Sequence, residues 1–113
     1  MRAWGFLTNH AHVLIQIARN PCSTVREIAL SAGITERAAH AVLKDLRESG
    51  IVIARRNGRN NTYQVDPAAL AAHPRWGASD MQIPKSLIEA TLHGLERVAA
   101  AGVAKRDGRP RPA

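Results

Sequence analysis

Acidic residues are scarce in this chain: nine Asp and Glu stand against 16 Lys and Arg, giving a formal charge of +7. The isoelectric point lies near 11.1. A field of that sign attracts polyanions, so nucleic acid and anionic membrane surfaces are the partners it selects. Long apolar runs are missing too. No stretch approaches the ~20 residues that a membrane-crossing helix needs, so no membrane partner is expected. The opening Met1-Arg2-Ala3-Trp4-Gly5-Phe6 lacks the apolar segment of a secretory signal. Cysteine occurs once, as Cys22, which excludes an internal disulfide and fits a reducing cytoplasm.

Catalytic groupings are also wanting. No Ser/His/Asp set and no paired carboxylates suggest an enzyme. His10 and His12 stand two apart and point to different faces of a helix, so they cannot make the i, i+4 metal pair. Cys22 has no basic cluster around it and reads as an inert, partly buried residue rather than a redox sensor. No cofactor is expected.

The 113 residues suffice for one domain plus an appendage, burying about 65% of the surface the unfolded chain exposes. Thr8 or Asn9 caps a first helix that runs to about Arg19, where Asn20-Pro21 stops it. Its apolar residues make two stripes, one of Ala11, Leu14, Ile15 and Ala18 and one of Val13 and Ile17, so it must be covered on two sides. Thr24 with Glu27 forms a capping box at the start of a second helix. Val25, Ile28, Ala29 and Ala32 give that helix one buried face, and Gly33 ends it. Ile34 then points inward, and Thr35 caps a third helix continuing to about Ser49 over a stripe of Ala39, Val42, Leu43 and Leu46.

Past Gly50 the period changes from 3.6 to 2. Ile51, Ile53 and Arg55 alternate with Val52, Ala54 and Arg56. Asn57-Gly58-Arg59-Asn60 signals a turn, and Tyr63 and Val65 share a face of the returning strand. The result is a β-hairpin with a basic tip, closed by Asp66-Pro67. Residues 67–83 wrap the surface with one short helical turn at Ala68–Ala72, and a last helix runs from Pro84 to about Ala101. Residues 103–113 carry Lys105, Arg106, Arg109 and Arg111 with almost nothing apolar, the composition of a disordered basic tail. Trp4 and Trp76 read as packing anchors.

Helix, short helix, tight turn, longer helix, hairpin: this order is mainly α with a small β element. A small residue at Ala29, the turn glycine Gly33 and apolar Ile34, Ala39 and Val42 meet the packing needs of a helix-turn-helix. The basic hairpin that follows makes it a winged one. Residues 6–66, from Phe6-Leu7-Thr8-Asn9-His10-Ala11-His12-Val13-Leu14 through Gly33-Ile34-Thr35-Glu36-Arg37-Ala38 to Tyr63-Gln64-Val65-Asp66, resemble small bacterial winged helix-turn-helix transcriptional regulators of the MarR-like or ArsR-like kind. The resemblance implies sequence-specific binding of double-stranded DNA, as a homodimer on a near-palindromic operator. Two features depart from those families. The C-terminal part is not the paired helical arm of full MarR proteins, and Val25-Arg26-Glu27-Ile28-Ala29 stands where ArsR sensors carry a Cys-Val-Cys metal box.

Candidate DNA-reading residues follow from the wheel of the third helix. Arg37, His40, Ala41 and Lys44 lie away from the buried stripe; Arg37 suits a guanine and Ala41 a thymine methyl. Ser23, Thr24 and Thr35 lie near helix N-termini and suit phosphate oxygens. In the hairpin, Arg59 suits the minor groove, while Arg55 and Arg56 suit phosphate. The competing reading is a winged-helix module that contacts protein within a larger assembly, and the basic face argues against it. For the homodimer, the expected seam joins Ile88, Leu92, Leu95 and Val98 of the last helix to the Val13/Ile17 side of the first; the alternative is that the last helix folds back to cover its own domain. The expected division is thus a DNA-binding domain over 1–66, a connector with a dimerisation helix over 67–102 and the tail.

Overall fold

The computed structural model describes residues 5–74, 76 and 83–106. Five helices and one hairpin follow in the order α1 (Asn9–Arg19), α2 (Val25–Ala32), α3 (Glu36–Glu48), β1 (Val52–Asn57), β2 (Asn60–Val65), α4 (Pro67–Ala72) and α5 (Lys85–Arg106). This is a winged helix with a C-terminal helix added. Trp4, Met81 and residues 107–113 lie outside the described residues, and with them most of the expected tail.

Threonine hydroxyls start the first three helices. Thr8 Oγ1 accepts from the Ala11 amide at 3.2 Å and Thr35 Oγ1 from the Ala38 amide at 3.0 Å. Thr24 and Glu27 form a reciprocal capping box, with distances of 3.1 and 2.9 Å. Each such cap satisfies an amide that the helix itself leaves unpaired, a contribution of about 1 kcal/mol. Hydrogen bonds from the Thr24 backbone amide, which contributes most, and from the Thr24 side chain hold the Glu27 carboxyl below its ordinary pKa. Gly33 ends α2 at φ 71°, a left-handed backbone that a Cβ would strain. The Ile34 amide then bonds back to the Ala29 carbonyl at 3.0 Å, which turns the chain sharply into α3.

The three helices close on one core of Val13, Leu14, Ile17, Ile28, Ala29, Ala39, Val42, Leu43 and Leu46, to which Ile51, Val52, Tyr63 and Leu70 add from the hairpin and α4. Fully burying a side chain such as Ile28 contributes about 1.5–3 kcal/mol, and Ile28→Ala would cost about 2–5 kcal/mol. The hairpin pairs Val52 with Val65 and Ala54 with Tyr63. Its base is tied down by two further bonds, from the Tyr63 amide to the Pro21 carbonyl at 2.8 Å and from the Asp66 amide to the Ile51 carbonyl at 2.7 Å. The short turn expected near 68–72 is α4, capped by Asp66. Trp76 is an anchor: its indole donates to the Leu70 carbonyl at 2.8 Å.

The second apolar side of α1 is covered from within the chain. Leu92 and Leu95 of α5 pack against the domain's own core, while Val13 and Ile17 are 0% and 1% exposed. The expectation that Val13 and Ile17 are left for a second copy is therefore corrected: α5 folds back and occupies that side. An open cleft of about 250 Å³ remains between α1, β2 and α5, walled by Ile17, Val65, Leu92 and Leu95. The last helix also runs on to Arg106 rather than ending near Ala101. No described helix is long and apolar enough to cross a membrane.

Candidate nucleic-acid interface

The α3 stripe of Ala39, Val42, Leu43 and Leu46 faces the core, which turns Arg37, His40, Ala41 and Lys44 to solvent. All four of those expected DNA-reading residues are exposed on one broad side of the helix. Glu48 shares that side, and its Oε1 lies 4.0 Å from Lys44 Nζ. On one flank Asp45 is held at 2.9 Å by His10 Nε2 of α1. Arg47 lies on the other flank, toward β1.

The wing carries its basic residues along β1 and at the turn. Arg55 stands opposite Thr62 and Arg56 opposite Asn61 in the ladder, so the two arginines point to opposite faces of the hairpin. Arg56 Nε donates to the Gly58 carbonyl at 3.2 Å, which ties its guanidinium to the turn. Arg55, Arg56 and Arg59 are all exposed, as are Asn57, Asn60 and Asn61 beside them.

Thr24 and Thr35 are exposed at the starts of α2 and α3, each hydroxyl oxygen accepting its capping bond. Thr35 keeps a hydroxyl proton to donate to a phosphate, whereas the Thr24 hydroxyl is also engaged by the Glu27 carboxylate. Ser23 is a correction. It is 1% exposed, donating to the Asn20 carbonyl at 2.7 Å and accepting from Gln16 Nε2 at 3.0 Å. Gln16 Oε1 accepts in turn from Ser31 at 2.8 Å. Ser23 thus locks α1, the linker and α2 together and cannot meet phosphate. Cys22 beside it is exposed rather than partly buried, because the linker presents its edge to solvent there.

Sequence reasoning placed Glu48 on the exposed side of α3 but left out Arg47 and Asp45. Arg47 is 100° of helix from the buried Leu46, and a wheel alone does not show that the wing strand runs alongside it.

Residues 8–53 match the winged helix-turn-helix DNA-binding family. The matched span covers all of α1, α2 and α3 and reaches the start of β1, so it contains the whole exposed α3 face. It stops before Arg55, Arg56 and Arg59 and does not include α5. Over that span the chain is similar to winged helix-turn-helix DNA-binding domains, a likeness that supports DNA as its partner. Comparison with curated proteins and with solved structures finds no match.

Proposed function

We propose that this chain is a transcriptional regulator that reads duplex DNA sequence-specifically, with α3 in the major groove and the wing over the adjacent minor groove. The observation that carries the reading is the exposed side of α3, where Arg37, His40, Ala41 and Lys44 lie opposite the buried stripe and beside a wing bearing Arg55, Arg56 and Arg59. Side chains of these types supply what groove recognition requires: a guanine-reading fork, a small apolar contact for a thymine methyl, and cations for phosphate. The helix starts at Thr24 and Thr35 add phosphate donors at the edges. Among regulators of this fold, the MarR-like or ArsR-like kind is the type we assign.

A homodimer belongs to this proposal. One winged helix spans only a few base pairs, and two-fold pairing repeats the reading head at a spacing near one DNA turn. Since Leu92 and Leu95 are used within the chain, pairing through α5 falls to its other side, where Leu87, Ala90, Gly94 and Ala101 are exposed. Selecting bound sequences from a random duplex pool tests the whole reading. A recovered motif with two related half-sites is the expected result; an unenriched pool with no salt-dependent duplex binding would overturn it.

A further inference from the structure

Between the C-terminal half of α3 and strand β1 runs an open groove of about 530 Å³, with Lys44, Arg47 and Glu48 on one wall and Val52, Ile53 and Ala54 on the other. We propose that this groove seats a backbone phosphate of the bound duplex, with Arg47 as the cation that meets it and Glu48 as a built-in competitor. The inference rests on the DNA-binding reading above and adds to it a contact and an opposing charge.

Charge is distributed unevenly around α3. The flank toward α1 carries Asp45, already engaged by His10 at 2.9 Å. The flank toward the wing strand carries Arg47, for which no ion pair occurs among the described residues. A duplex that touches both the exposed face of α3 and the wing must pass one strand of its backbone over the space between them, and that space is this groove. Lys44 belongs to both surfaces, so the groove is continuous with the reading face.

The groove wall supplied by β1 is apolar and offers no side-chain anion or donor of its own. Recognition there falls to the α3 side chains, and two cations with one carboxylate leave a single net positive charge, which suits one phosphodiester. Lys44 Nζ is 4.0 Å from Glu48 Oε1, with the two side chains 74% and 66% exposed. An ion pair so open to water is weak, and an entering phosphate displaces Glu48 from Lys44. Glu48 therefore subtracts from phosphate binding, which keeps sequence-independent association low while leaving the Arg37 end of α3 untouched.

The test uses the full chain and a short random-sequence duplex, with affinity measured across a range of salt. Arg47→Ala is expected to reduce the slope of log K against log salt by about 0.9, one phosphate contact, with the same loss on every sequence. Arg47→Lys is expected to restore most of the affinity, because a phosphate accepts either cation whereas a bidentate guanine contact does not. Glu48→Gln is expected to tighten duplex binding about two- to fivefold, the size of an exposed charge interaction. An unchanged slope in Arg47→Ala, or Arg47→Lys no better than Arg47→Ala, overturns the phosphate seat. Equal or weaker binding by Glu48→Gln overturns the competitor role. If Arg47 and Glu48 variants are silent while Lys44→Ala and Arg59→Ala weaken binding, only this inference fails; if the unmodified chain shows no salt-dependent duplex binding, the DNA-binding reading fails with it.

Discussion

Gly102 of α5 lies so close to the backbone of Arg19 at the end of α1 that a Cβ on residue 102 would overlap the Arg19 carbonyl. Because the blocking atoms are backbone, no rotamer change relieves the contact. Gly102→Ala is expected to unseat the end of α5 and cost about 1–3 kcal/mol, as overpacking does, despite the better helix propensity of alanine. Gly94, in the same helix, has nothing within 4 Å of where its Cβ would stand. Gly94→Ala is expected to stabilise the domain by up to about 1 kcal/mol. Chemical denaturation of both variants checks the pair, and a stabilised Gly102→Ala would contradict the packing of α5 on α1.

Arg37→Ala and Lys44→Ala should each weaken binding to a selected operator by about 1–3 kcal/mol where a base contact is lost. Both side chains are solvent-exposed, so melting temperatures should stay near that of the parent. Titrations of the selected duplex and a scrambled one separate the roles. If both variants bind the operator like the parent, α3 is not the reading helix.

Arg59→Ala should act differently. If the wing lies over the minor groove as proposed, its charge meets phosphate or that groove, so affinity should fall across sequences and the salt slope should decrease by about one. A strongly sequence-selective loss with an unchanged slope would contradict that role.

Glu27 gives the domain an acid-sensitive helix start. Hydrogen bonds from Thr24 lower its pKa in the folded chain, so the carboxylate contributes stability above its unfolded value of about 4.3. That contribution is lost as the pH falls through the lowered folded value. Glu27→Gln should accordingly be less stable than the parent at neutral pH, with the difference vanishing in acid. Melting curves at several pH values measure it; a difference that persists unchanged to low pH would count against the capping box.

Features set by near neighbours were legible in the sequence. Thr8, Thr24 and Thr35 each cap an amide within three residues, and Gly33 ends α2 through its own backbone, so local chemistry determined three helix starts and the turn into α3. Features set across the fold were not. Ser23 looked like a surface hydroxyl near a helix start, but the crossing of α1 over α2 brings Gln16 onto it and buries it. The two-sided apolar character of α1 correctly required a cover, yet nothing local specified that α5 of the same chain supplies it. The last helix was expected to end near Ala101; it continues through Gly102, whose lack of a Cβ allows α5 to touch the Arg19 backbone. For the interface, the exposed face of α3 could be drawn from periodicity, whereas the placement of Arg47 beside β1 depends on the path of the hairpin.

The bond from the Tyr63 amide to the Pro21 carbonyl anchors the wing at its base, while the Gly58 end of the hairpin has open space around it. Foundation and fingertip are thus separate in this molecule. Provided a residue tolerant of positive φ is kept where Gly58 stands at φ 65°, residues 57–60 can be lengthened at little cost to folding, since doubling a flexible loop adds only about 0.6 kcal/mol. On the proposed reading, the strength of sequence-independent duplex binding can be adjusted at the wing tip while the three-helix body stays unaltered, which makes residues 57–60 the place to graft a new turn.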